Sequence, residues 1–261
     1  PSAETTADAA ATDRFVYRVP LASMSALKKL AWGSASFKEK MVFLYTRFVL
    51  CQKKKSEAIM TRVVGRQGLL GYNRVLVLYC HEQVAHVLWL MASPGHTPVV
   101  FHCTHGKDRT GLIAALVLSI LGVGKEYVIA DYASSAEFIP AAAFKEMLSR
   151  PGFTAEEWAH SPPLVIMKTL ELIDQTYGSL DGYLDTIGFT QDWRDKLRAQ
   201  LLEPAPSPAQ AAEAASRSLT EPVTAAAAHE AAQVQVVHEV AQLVKEAKPV
   251  LKDLMQNAPA V

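Results

Sequence analysis

The sequence predicts an α/β domain with a small central, mostly parallel sheet, flanking helices and a helix-rich C-terminal half. Three observations predict it. The apolar run Val99-Val100-Phe101 enters a polar decapeptide, HCTHGKDRTG at residues 102–111, and a long apolar run follows from Leu112. Strand, tight loop and buried helix in that order belong to layered α/β architecture. Arg14 to Leu21 (RFVYRVPL) alternates like a short strand ending at Pro20. From residue 125 onward, apolar residues recur at helical spacing.

The elements follow in order. Residues 1–12 are rich in alanine and threonine and read as a disordered segment, and the catalytic-type domain spans 13–203. The first residue is proline, which suggests that an upstream segment has been lost. Between Ser25 and Leu50 the spacing is mostly helical, with Leu27, Leu30, Met41, Leu44, Tyr45 and Phe48 expected to face inward. Lys53-Lys54-Lys55 reads as a solvated face, with docking of an anionic partner as the alternative. Residues 79–92 form an amphipathic helix carrying Val84, Val87, Leu88 and Met91 on one side, and Ser93 to Pro98 form a turn. The helix from Thr110 is apolar nearly all round and ends near Gly122-Val123-Gly124, so it belongs in the core. Helices are expected at about 125–135, 141–149, 163–177, 179–187 and 190–202. Residues 204–224 form an Ala/Pro-rich linker. An amphipathic helix over 225–257 follows, to pack on the domain or to bind a partner helix.

Lysine plus arginine total 26 and aspartate plus glutamate total 26, so no broad basic face for nucleic acid is expected. Three cysteines, Cys51, Cys80 and Cys103, are too few for a disulfide framework and suggest a reducing, cytoplasmic setting. Cys51 and Cys80 read as small buried hydrophobes, and Cys80 could also pair with Cys103 in a regulatory disulfide. The apolar stretch from Leu112 to Val123 is too short for a transmembrane segment.

The decapeptide carries the chemistry. A loop between strand and helix curls its backbone N–H groups into an anion cradle at the helix start. Thr104, His105, Gly106, Lys107, Asp108 and Arg109 would line that phosphate-binding loop, with Gly106 and Gly111 allowing the tight turn and close packing. Arg109 offers a planar fork for two phosphate oxygens. Cys103 at the base of the cradle would have a lowered pKa, and its thiolate would attack phosphorus to form a phosphocysteine. Thr110 can hydrogen-bond that sulfur, and His102 holds the loop rather than reacting. Asp108 is the first candidate for general acid, with Glu82 or Asp131 next. Lys107 is expected at the pocket mouth, as a second positive charge.

Two other site types are disfavoured. A zinc centre from His102, Cys103 and His105 lacks a distant Cys/His pair to complete it. A Walker loop would need serine or threonine after Gly106-Lys107, where Asp108 stands.

HCTHGKDRTG resembles the signature loop of cysteine-dependent protein tyrosine phosphatases, in the subgroup reading His-Cys-x-x-Gly-Lys-Asp-Arg-Thr-Gly. VIADYASSAEF (128–138) is similar to that family's Asp-Tyr-x-x-Ser segment, and residues 167–203 look like its closing helices, with Tyr177-Gly178-Ser179 and Tyr183-Leu184 as landmarks. Residues 68–92 resemble the preceding helical stretch more loosely. Of the family's front, only the Val19-Pro20-Leu21 piece is visible. The resemblance implies Cys103 as nucleophile, Arg109 as phosphate clamp, Asp108 as in-loop acid, and Lys107 as the lysine associated with phosphoinositide activity. The expected function is hydrolysis of phosphate monoesters, with protein phosphotyrosine as substrate and no cofactor or metal. Alternatives are a phosphoinositide phosphatase using the same loop, and a catalytically weak phospho-ligand binding module.

Overall fold

The computed structural model describes residues 5–7, 15–96, 98–139 and 141–202. Strands β1 (Thr5–Ala7) and β2 (Phe15–Tyr17) pair antiparallel, with Thr6 opposite Val16. Helices follow as α1 (Met24–Ser34), α2 (Phe37–Leu44), a π-helical turn (Tyr45–Val49), α3 (Lys53–Gly65), α4 (Gly68–Tyr79) and α5 (His81–Ala92). After the decapeptide come α6 (Asp108–Ile120), α7 (Lys125–Phe138), a 3-10 turn (Ala141–Phe144), α8 (Lys145–Leu148) and α9 (Ala155–Trp158). The described chain closes with α10 (Pro163–Tyr177), α11 (Leu180–Thr186) and α12 (Gln191–Leu201).

Local chemistry explains several boundaries. Ser23 caps α1 by accepting from the Ala26 N–H. Ser36 and Glu39 close a reciprocal capping box at α2, which splits the expected helix between Ser25 and Leu50 into separate pieces. Cys80 separates α4 from α5 at a bend of 77°. Pro163 opens α10, where its missing N–H costs nothing.

The core is built around α6. Leu112, Ile113, Ala115, Leu116, Val117 and Ile120 are all buried, as its all-round apolar character requires. Val75, Leu76 and Val77 of α4, Val84, Ala85, Leu88 and Met91 of α5, and Val128 and Ile129 of α7 close on it, with Val165, Ile166 and Ile173 of α10 in the same cluster. The expected apolar side of α5 is therefore observed.

Several expectations are corrected. The central parallel sheet is not found among the described residues, where the only ladder is the short antiparallel pair β1–β2. Val99–Phe101 forms no regular element and joins no ladder, and Val100 is 92% exposed. A strand is stable only when a neighbour takes up its backbone groups, and no described residue pairs with this segment. Thr5–Ala7, inside the segment expected to be disordered, form β1. The other residues of 1–12, the linker at 204–224 and the helix at 225–257 lie outside the described residues. Met41, Leu44, Tyr45 and Phe48, expected inward, are exposed, because α2 and the π-turn bury no residue at all. Cys51 is exposed rather than buried, in a left-handed conformation (φ 52°) just after the π-turn. Cys80 is buried as expected, and all three thiols are free.

Candidate active site

The site grows from the junction of the irregular segment Val99–Phe101 and α6. Gly106 has φ +70°, the left-handed conformation that lets the loop turn back sharply. No side chain caps α6, so the N–H groups of its first turn are left to face the loop. The Cys103 sulfur collects them. Burial by itself would push this thiol up, but the hydroxyl and N–H of Thr110, the N–H of His105 and the Arg109 charge outweigh it and hold the pKa below 9.0. Thr110 Oγ1 is buried and makes no geometrically complete hydrogen bond, so the sulfur is the acceptor it faces.

Arg109 is steered by its own loop, since its Nη2 donates to Thr104 Oγ1 at 2.9 Å. His105 braces the far side of the loop. Its Nε2 lies 3.1 Å from the Ala143 carbonyl oxygen, and its ring packs on Phe144 with centroids 5.0 Å apart. His102 is exposed, and its Nδ1 lies 3.2 Å from the Cys103 carbonyl oxygen, which suits a holding role.

Lys107 does not stand at the pocket mouth. It is 1% exposed, and its ammonium lies 3.1 Å from Asp108 Oδ1 and 3.1 Å from the His160 carbonyl oxygen, below the Phe144 ring. Burial lowers its pKa, while the Asp108 carboxylate opposes that shift. The side chain turns inward because Asp108 and His160 satisfy it there, and a buried ammonium needs such partners.

Asp108 is also nearly closed off. Its Oδ1 accepts from Lys107 and, at 3.4 Å, from the Tyr132 hydroxyl. Burial raises the Tyr132 phenol, and the neighbouring Asp108 charge raises it further. Gly111 makes the approach of α7 possible: a Cβ there would lie 2.6 Å from Tyr132 Cδ2. The loop thus brings together Cys103, Thr104, His105, Arg109 and Thr110, while Lys107 and Asp108 form a buried pair behind it.

Sequence reasoning missed the supporting ring of Tyr72, Tyr132, Phe144 and His160. Tyr72 is pushed up to about 12 by burial, with the fields of Arg109, Asp108 and Cys103 all acting on it, so it borders the site from α4. Only Tyr132 carried a signal, as the tyrosine following Asp131. The other three come from segments distant in sequence, which only folding assembles.

Cys103, Arg109 and Thr110 form part of the wall of a cavity of about 780 Å³, whose other walls include Val19, Leu21, Val87, Met91, Phe101 and Ile113. An apolar concavity with a few convergent polar groups is the usual form of a small-molecule site. Among the described residues, no group of three His, Cys, Asp or Glu side chains is placed to hold a metal ion. Among them, too, no single helix is long and apolar enough to cross a membrane.

Comparison with known proteins agrees with this loop. The chain is 34% identical over 125 residues to the triple specificity protein phosphatase PtpB of Mycobacterium tuberculosis, covering 40% of this chain and 44% of that protein. It is 30% identical over 133 residues to a tyrosine-protein phosphatase of Nostoc commune, covering 47% of this chain and 45% of that protein. The chain thus spans less than half the length of these curated relatives. A family model described as the tyrosine phosphatase family matches residues 17–203, from β2 through the decapeptide and past the end of α12. That match takes in the cradle, the helix it opens and every element packed around them, and the chain belongs to the tyrosine phosphatase family.

Proposed function

We propose that this chain hydrolyses phosphate monoesters, with protein phosphotyrosine as its substrate, through a phosphocysteine on Cys103. One observation carries the proposal. Despite half-burial, the Cys103 thiol is held below its ordinary pKa by donors that also suit a phosphate: backbone N–H groups, the Thr110 hydroxyl and Arg109.

In the first step the thiolate forms a bond to phosphorus while the bond to the ester oxygen breaks. Arg109 and the loop N–H groups take up the charge on the phosphoryl oxygens. The departing oxygen takes a proton from an acid. Asp108 is the first candidate by its place in the loop, and its pairing with Lys107 and Tyr132 must open for it to reach the leaving group. Water then attacks the phosphocysteine and gives a proton back to the acid's conjugate base, the P–S bond breaks, and the thiolate returns with inorganic phosphate released. Thr110 steadies the sulfur as nucleophile and again as leaving group. The nucleophile and the charge stabilisation come from the chain, so the scheme calls for no cofactor.

Apolar walls beside Cys103 favour an aryl over an alkyl phosphate. The phosphoinositide alternative rests on Lys107 and on Lys53-Lys54-Lys55; Lys107 is turned away from the pocket, while the three other lysines are exposed. The experiment is hydrolysis of a phosphotyrosine peptide by the chain and by its Cys103→Ser variant. The variant should retain phosphopeptide binding and lose turnover. Unchanged turnover would refute the proposal, and binding without turnover in the parent chain would favour the non-catalytic module.

A further inference from the structure

The stretch from residue 37 to 50, FKEKMVFLYTRFVL, has nine apolar residues among fourteen and not one of them is buried. Phe37, Met41, Leu44, Tyr45 and Phe48 recur at helical spacing, the pattern of a stripe that should be covered. They are instead 80%, 48%, 36%, 54% and 70% exposed, and Val49 beside them is 65% exposed. Phe43 touches Trp32, with centroids 6.0 Å apart, and the rest of the stripe faces out. A contiguous exposed apolar surface of this kind marks an interaction site.

Charge indicates what covers it. Residues 37–57 carry six cations (Lys38, Lys40, Arg47, Lys53, Lys54, Lys55) and two carboxylates, in a chain whose overall charge is zero. Both carboxylates already have partners. Glu39 is bound by Arg66 at 2.9 Å and held near a pKa of 2 by the Ser36 N–H and that guanidinium. Glu57 lies 4.0 Å from Lys53. Among the described residues, Lys38, Lys40, Arg47, Lys54 and Lys55 have no carboxylate partner, and they flank the stripe at both ends. Aromatic and aliphatic side chains along one helical face, bordered by lysine, form an element that lies in the interface of an anionic bilayer. A second copy of the same basic face would be repelled by like charge, and residues 225–257 hold acidic and basic side chains in near balance.

We propose that α2, the π-turn and the start of α3 dock this protein on an anionic membrane surface. Phe37, Met41, Tyr45 and Phe48 enter the acyl boundary, while Lys53, Lys54 and Lys55 meet the headgroups. The inference is independent of Cys103 chemistry, and its test uses no phosphorylated substrate lipid.

The full chain is sedimented with vesicles of phosphatidylcholine alone and with vesicles containing phosphatidylserine. It should partition onto the phosphatidylserine vesicles and be released by salt. The doubly substituted Phe37→Asp/Phe48→Asp chain and the Lys53→Glu/Lys54→Glu/Lys55→Glu chain should each bind roughly tenfold more weakly or worse. Turnover of a soluble aryl phosphate should be unchanged in both, since every substituted residue is exposed and outside the loop. Equal partition onto neutral and anionic vesicles, or unaltered binding by either variant, would overturn the proposal. So would a concentration-dependent dimer abolished by the Phe37/Phe48 substitutions, which would assign the face to a second copy. Anionic-vesicle binding that appears only after removal of residues 204–261 would assign it to the chain's own C-terminal segment.

Discussion

The Lys107 ammonium lies 3.1 Å from Asp108 Oδ1, and the two side chains are only 1% and 12% exposed. Neighbours in sequence at the start of α6, they form a buried ion pair behind the loop. Removing one member strands the other without water. Lys107→Met should therefore cost about 3 kcal/mol of unfolding free energy, within the range for breaking a buried pair. Urea denaturation measures it, and Lys107→Met/Asp108→Asn should recover most of the loss. Wild-type stability in the single variant would mean the pair contributes nothing.

Cys103 should alkylate with a midpoint below that of an ordinary thiol, because hydrogen bonds and Arg109 favour its thiolate. Thr110→Ala and Arg109→Ala should each move that midpoint upward. The stability effect follows in sign. The unfolded chain keeps its thiol proton up to about 8.5, as an ordinary cysteine does, while the folded chain loses it earlier. Stability from this group therefore rises with pH between the folded and unfolded values and is lost as pH falls through the folded one. Iodoacetamide kinetics followed by peptide mass spectrometry reads Cys103 separately from exposed Cys51, and a midpoint at or above the ordinary thiol value of about 8.5 would contradict the site geometry.

Asp108→Asn should slow an aryl phosphate with a poor leaving group by about a hundredfold, the scale of general acid catalysis. A substrate with an excellent leaving group should be nearly unaffected. Equal slowing of both would move the role to Glu82 or to Asp131. Asp131 is exposed overall, yet desolvation of its carboxyl raises it above the ordinary carboxylate range.

Gly111→Ala would push a methyl group to 2.6 Å from the Tyr132 ring. Ring and helix must separate, and the Tyr132 bond to Asp108 goes with them. Thermal unfolding should show a loss of about 1–3 kcal/mol, the usual cost of overpacking. Gly106→Ala should cost about 1 kcal/mol for backbone reasons alone, because open space surrounds it at φ +70°.

Much of the site was legible because its logic is local. Cys103, Arg109 and Thr110 belong to one turn between an irregular segment and a helix, and backbone geometry brings them together wherever that turn forms. Helix starts at Ser23 and Ser36 also depend on side chains a few residues away. Direction was less legible than position. Lys107 was placed correctly in the loop but expected outside, and the backbone carbonyl of His160 that receives it is 53 residues away.

By itself, then, the amino-acid order determined which residues stand in the loop and where α5, α6, α7, α10, α11 and α12 run, since these follow from short-range spacing and from apolar character on one side or on every side. Tertiary structure decided which apolar stripes are covered. The stripe from Phe37 to Phe48 has the periodicity of a core helix, yet among the described residues it stays exposed, whereas Val84, Leu88 and Met91 meet α6 and its neighbours. It also decided that Val99–Phe101 stands without a sheet. Burial and strand pairing both require a second surface, and a one-dimensional pattern records only the first.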